Sequence, residues 1–135
     1  MTNLIYTKAK NKFLTGQINW IGDTIKIALV DGAGYTPSPD ADEFLNVIAS
    51  DAIVATSDAL TGKAVDNGAA DANDLTMHNV SGSQFEYLVL FKDTGSAATS
   101  PLLILIDAAT NLPYTPTNGS LLIQFDNGTN KVFRI

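Results

Sequence analysis

Short apolar segments of strand length recur along the chain, separated by turn-forming residues. In residues 24–30, Ile25, Ile27 and Leu29 occupy every second position, and successive side chains of a strand point to opposite faces. Comparable segments follow at 52–56, 63–66, 69–71, 75–78, 86–92, 101–107, 121–126 and 131–135. The pattern predicts a mainly β chain built from antiparallel strands.

Two of these segments, EYLVLF at 86–91 and PLLILI at 101–106, are apolar at nearly every position. Strands of this composition are covered on both faces. We therefore expect both of them in the middle of the structure, beneath a second sheet or a helix. A chain of 135 residues has the length of one domain. The predicted fold is a single-domain antiparallel β-sandwich or small barrel.

A short helix is predicted at the N-terminus, ahead of the first strand. In residues 3–15, Ile5, Ala9 and Phe13 recur every four positions, which is the spacing of one helix face. Residues suited to capping stand at both ends of this segment, namely Thr2 or Asn3 at the start and Gly16 at the end.

A second short helix is predicted near residues 40–48. Ser38 precedes Pro39, and proline is favoured at the first position of a helix. The apolar residues of this segment are expected to form the buried side of the helix, namely Phe44, Leu45, Val47 and Ile48.

Asparagine followed by glycine within an Asp-Asn-Gly sequence predicts two tight turns between strands. This pair adopts the left-handed backbone conformations that a two-residue hairpin loop requires. It occurs within DNG at 66–68 and again within LLIQFDNGTNKVFRI at 121–135. The second occurrence predicts a hairpin between the last two strands, 121–126 and 131–135.

Charge divides the chain into a basic start and an acidic body. Residues 1–22 contain Lys8, Lys10 and Lys12 and no acid, whereas residues 23–135 contain five basic and fourteen acidic side chains. The net charge of −6 argues against nucleic acid as a partner. The three lysines are interpreted either as a solvated helix face or as a basic segment that docks on an acidic partner.

Candidate chemistry is sparse. The chain has no cysteine and one histidine, His78, which we interpret as a strand-surface residue. The segment SGSQF lacks the glycine that a nucleophile elbow requires after its serine. Turn formation accounts for the oxygen-bearing residues of DNGAADANDL, whose spacing fits no EF-hand; they are Asp66, Asn67, Asp71, Asn73 and Asp74. We therefore predict no enzyme activity, metal or cofactor.

Aromatic residues are spread over strand and turn positions, as core anchors are. They are Trp20, Tyr35, Tyr87, Phe91, Tyr114, Phe125 and Phe133. A carbohydrate-binding face would use some of the same residues, and alternation alone does not show which are exposed. No stretch approaches the roughly 20 apolar residues of a membrane span, and residues 1–20 lack the apolar core of a signal peptide.

Nearly the whole chain resembles a widespread family of small structural proteins of tailed phages and prophages. The resemblance is carried by the order and spacing of INWIGDTIKIALV, GYTPSPDADEFL, LTGKAV, ADANDLTM, EYLVLFKDTGS, SPLLILID and NGSLLIQFDNGTNKVFRI. It implies a virion component, and the role associated with the family is decoration or cementing of the capsid. The family carries no catalytic residues to transfer.

We therefore expect a homo-oligomer, most simply a trimer, on the outer capsid surface, assembled in the bacterial cytoplasm and bound to the major capsid protein. The alternative is a tail or fibre component, including a glycan-binding adhesion module. The chain is expected to comprise a basic helical segment, 1–22, and an acidic β body, 23–135. The residues predicted to contact a partner are Lys8, Lys10, Lys12, Tyr6 and Trp20.

Overall fold

The computed structural model describes residues 4–109, 111–126, 128 and 131–134. Within those residues the chain forms one α-helix and ten β-strands. The helix α1 spans Thr7–Leu14. The strands are β1 (Leu4–Ile5), β2 (Ile25–Val30), β3 (Ile53–Thr56), β4 (Ala64–Asp66), β5 (Ala69–Asp71), β6 (Leu75–Val80), β7 (Tyr87–Lys92), β8 (Leu102–Ile106), β9 (Gly119–Ile123) and β10 (Phe133–Arg134).

The largest sheet has five antiparallel strands in the order β1-β8-β7-β2-β3. Every residue of β8 is buried, and so are the four central residues of β7. Side chains on both faces of these strands are therefore removed from water, which accounts for their continuous apolar sequences. The prediction that these two segments lie in the middle of the structure is confirmed.

The remaining strands form a three-stranded sheet, β10-β5-β4, and a two-stranded sheet, β6-β9. Their inward residues join one hydrophobic cluster with the five-stranded sheet; Ala70, Met77 and Ile123 are among them. The architecture is mainly β, antiparallel and consistent with a small β-sandwich-like domain. This confirms the predicted fold class.

The N-terminal helix is confirmed, but it begins later than predicted. Leu4 and Ile5 pair with Leu105 and Ile104 of β8, so Ile5 contributes to the sheet and not to the helix face. Ladder hydrogen bonds to a buried strand satisfy the backbone there and displace the first helical turn. Gly16 follows the helix with φ +77°, as a helix-ending glycine does. The predicted caps, Thr2 and Asn3, lie outside the described residues.

The prediction of a second helix near 40–48 is wrong. The segment instead contains 3₁₀ turns at Leu45–Val47 and Ser50–Ala52. Ahead of them, the backbone carbonyl of Glu43 accepts a hydrogen bond from the Leu102 N–H at 2.9 Å, and Phe44 forms a β-bridge with Pro101. This pairing holds the chain extended alongside the start of β8, so helical propensity is overridden by tertiary contacts.

Of the two predicted Asn-Gly hairpins, the first is confirmed. Asn67 and Gly68 have φ of +51° and +78°, and they connect β4 to β5 in a two-residue loop. The predicted hairpin between 121–126 and 131–135 is wrong, because β9 pairs with β6 and β10 pairs with β5. Asn127 of that predicted turn and Ile135 lie outside the described residues.

Candidate interaction surface

Two of the predicted partner-contacting residues, Tyr6 and Trp20, lie in the core. Their exposed fractions are 0% and 5%. The indole N–H of Trp20 donates to the Asp71 carbonyl at 3.0 Å, and its ring meets Phe133 edge-on with centroids 5.2 Å apart. Trp20 is thus an anchor beside the first long strand. Neither residue presents a surface to a partner, which corrects their assignment to an interface.

Tyr6 instead takes part in a buried chain of polar groups. Its hydroxyl lies 2.9 Å from the hydroxyl of Tyr35, which donates to Asp42 Oδ2 at 2.6 Å. The same carboxylate oxygen accepts the Ser38 N–H at 2.9 Å. Burial is the main cause that raises the pKa of both tyrosines, so both stay neutral hydroxyl donors. The chain ties the start of α1 to the 35–42 loop.

The three predicted lysines point in different directions from α1. Lys12 turns inward, where its Nζ lies 2.7 Å from Glu43 Oε2 and 5.1 Å from the centroid of the Phe44 ring. Lys8 is partly exposed and Lys10 is exposed. Neither forms a salt bridge with any of the described residues. Lys12 is therefore committed to the fold, and the other two charges remain for a partner.

An exposed apolar residue accompanies these charges. Leu14 is four positions after Lys10, so both lie on the same side of α1, and 85% of Leu14 is exposed. Lys8 is two positions before Lys10 and lies on a different side of the helix. We call Lys10 and Leu14 the α1 surface. Charge alone did not point to Leu14, although its four-residue spacing from Lys10 is visible in the sequence.

Several contacts hold the α1 surface in place. Ala9 is fully buried, the Phe13 ring packs on Phe133 with centroids 5.7 Å apart, and Thr7 donates to Asp40 Oδ1 at 2.7 Å. These contacts fix one side of the helix against the body, and Lys10 and Leu14 on the other side are exposed. A rigid cationic and apolar surface on an acidic protein suits contact with an acidic protein surface that also offers an apolar spot.

The acidic turn residues have structural partners. Asp71 Oδ1 accepts the Ala72 N–H, and Asp74 Oδ1 accepts the Phe125 N–H, both at 2.9 Å. No group of three side chains able to hold a metal ion occurs in the described part of the chain. His78 is exposed on β6, as predicted, with Nδ1 3.2 Å from Ser120 Oγ.

The predicted aromatic anchors are mostly internal; Tyr35, Phe91 and Phe133 are buried. Tyr114 is only partly buried and packs on Phe85 with centroids 5.6 Å apart. Both line an open cleft of about 370 Å³ that also includes Leu121 and Leu122. This cleft is where the alternative glycan-binding interpretation would place its ligand.

No family model matches the chain, and no curated protein is significantly similar to it. Across the residues that the structure describes, no helix is both long and apolar enough to cross a membrane.

Proposed function

We propose that this protein is a non-enzymatic virion structural protein that decorates or cements a phage capsid from its outer surface. The sequence resemblance to small phage structural proteins supplies the class. The observation that carries the proposal is the α1 surface, where Lys10 and Leu14 are exposed on a fixed helix and Lys10 forms no salt bridge with any described residue. The rest of the chain is acidic, so this helix is the side suited to an acidic shell.

Symmetry explains how such a small surface stabilises a large assembly. Individual exposed ion pairs contribute only about 0 to 1 kcal/mol each. A homotrimer on a threefold position of the shell presents three copies of the α1 surface to neighbouring major capsid subunits. Linked contacts bind far more strongly than any one of them, because later contacts form within an existing complex. Bridging several subunits in this way opposes the separation of the shell.

The second candidate is a tail or fibre component that binds glycans. It is supported by Tyr114, a partly buried aromatic residue that lines the open cleft, because aromatic faces are common contacts for sugar rings. The polar side chains of Asn111 and Gln124 also line the cleft, but Phe85 beside Tyr114 is 1% exposed and offers no second aromatic face to a sugar. We therefore favour the capsid role.

Co-sedimentation with virus particles tests the proposed attachment. The protein is added to particles of the phage that encodes it, after its own copies have been removed. We expect Lys10→Gln to lower the bound fraction, and moderate salt to release the wild type, because exposed charges are screened over about 8 Å at physiological ionic strength.

Lys12→Gln is the matched control, since it removes the same charge from the same helix but from an internal pair with Glu43. It is expected to lower stability while leaving attachment intact below its melting temperature. Equal loss of attachment in both variants, or no loss in either, would remove the α1 surface from the proposal.

A further inference from the structure

Two strands from different sheets border one groove on the side of the domain. β3 is an edge strand of the five-stranded sheet, and among the described strands β6 is paired with β9 alone. The groove has a volume of about 310 Å³. One wall is formed by 54–56 with Asp58, and the other by residues 76–81.

The two walls run antiparallel and approach each other at both ends. At one end the Asn73 N–H donates to the Thr61 carbonyl at 2.9 Å. At the other end Gly82 lies against Val54, so that a Cβ on the glycine would be 3.2 Å from Val54 Cγ1. Between these ends β3 and β6 do not pair. The groove is thus a gap between two antiparallel strands that do not pair.

The backbone of β3 directs hydrogen-bonding groups into this gap. The Ser57 N–H donates to the Ile27 carbonyl at 2.8 Å, and Thr56 lies opposite Ala28. In an antiparallel ladder, alternate residues direct their backbone groups to opposite sides. Because Ser57 bonds to β2, the N–H and C=O of Thr56 point away from β2 and toward the groove.

The edges facing the groove lack the usual protection against strand addition. Edge strands are commonly blocked by lysine, proline or an inward charge. None of the lining residues is lysine, arginine or proline, and the single charged side chain is Asp58. A bulge in β6, with Asn79 at φ +55° and a register shift between Met77 and Val80, bends that strand and disfavours direct pairing with β3.

We propose that the groove binds one extended segment of a partner protein as a β-strand added to the free edge of β3, with a basic side chain of that segment facing Asp58. Addition of a strand supplies main-chain hydrogen bonds to the exposed edge of β3. The four residues of β3 match a segment of about 13 Å, at roughly 3.3 Å per residue. The acidic lining residue and the absence of a basic one set the charge of the segment. This inference does not depend on the capsid role.

Amide hydrogen exchange of the full chain, followed by NMR, tests the proposal. The probe is an acetylated and amidated heptapeptide of alternating valine and threonine in which the two ends and the centre are lysine. We expect saturating peptide to slow exchange of the Thr56 amide by about tenfold or more, because a new hydrogen bond protects it. The Ser57 amide, already bonded to Ile27, is expected to be unchanged.

Two peptide controls and two protein variants separate strand addition from simple charge attraction. A peptide methylated at alternate backbone nitrogens, and one with glutamate in place of lysine, should leave Thr56 unprotected. Asp58→Lys should weaken binding of the lysine peptide by about tenfold, whereas Asp66→Lys on β4, in another sheet, should not. The proposal is overturned if the lysine peptide gives no protection at millimolar concentration, if either control peptide protects Thr56 equally, or if both variants behave alike.

Discussion

Replacing Trp20 with alanine removes the aromatic group that links the 18–23 turn to the three-stranded sheet. The side chain is 5% exposed, packs edge-on against Phe133 and donates to the Asp71 carbonyl. Deleting a buried large aromatic costs about 3 to 5 kcal/mol, and the hydrogen bond accounts for about 1 kcal/mol of such a loss. Domains of this size have roughly 5 to 15 kcal/mol in total, so the loss is a large share.

Urea unfolding followed by far-ultraviolet circular dichroism measures this loss, since Trp20 is the sole tryptophan and its fluorescence disappears with it. With a slope of about 2 kcal/mol per molar urea, the midpoint should fall by about 2 M. Ile21→Ala is the matched control, because its neighbouring side chain is 51% exposed, and it should change stability by less than about 0.5 kcal/mol. Equal midpoints for the two variants would refute the anchor role of Trp20.

Substitutions at three further positions test the fold. Ser57→Ala removes the hydroxyl that accepts the Ile27 N–H at 2.9 Å in the core, so thermal unfolding should show a loss of about 1 to 3 kcal/mol. Asn67→Ala should cost about 1 kcal/mol by urea unfolding, because φ is +51° there, while Asn67→Gly should be nearly neutral. A hydrogen bond from Lys26 lowers the pKa of Asp93. The stabilisation that ionised Asp93 contributes is therefore complete above the ordinary aspartate pKa and is lost as pH falls through the lowered pKa. Asp93→Asn should flatten the dependence of the unfolding free energy on pH in that range.

Local pattern was sufficient to predict most strands, because alternation and burial act within a few residues. β2, β5 and β7 were placed within a residue or two of their observed ends, and β8 was recognised from its unbroken apolar run. The brief β1 was missed, since two residues are too few for a period. Its pairing with β8 is decided by contacts about 100 residues apart in sequence.

The sequence predicted less well which strands pair with each other. Asn-Gly indicates a turn, and at Asn67 the turn joins adjacent strands. Near the C-terminus the same signal misled, because β10 places Phe133 against Trp20 and pairs with β5. The apolar surface buried by that long-range packing outweighs the local preference for a hairpin.

The candidate surfaces differ in how far the sequence could reveal them. The apolar spacing of the N-terminal segment predicted the helix that carries the lysines, but it could not show that Lys12 would be paired with Glu43, a residue 31 positions away. The groove between β3 and β6 has no sequence signal at all, because it arises from two sheets that meet without pairing. Such features depend on tertiary arrangement and not on any local pattern.

Imaging of purified virus particles that carry the protein tests the proposed capsid role most directly. The account predicts density for this chain repeated by the symmetry of the shell, on the outer capsid surface, as trimers with α1 toward the major capsid protein, and in a copy number that scales with the number of capsid subunits. Density confined to the tail, only a few copies per particle, or the absence of the protein from particles would contradict it.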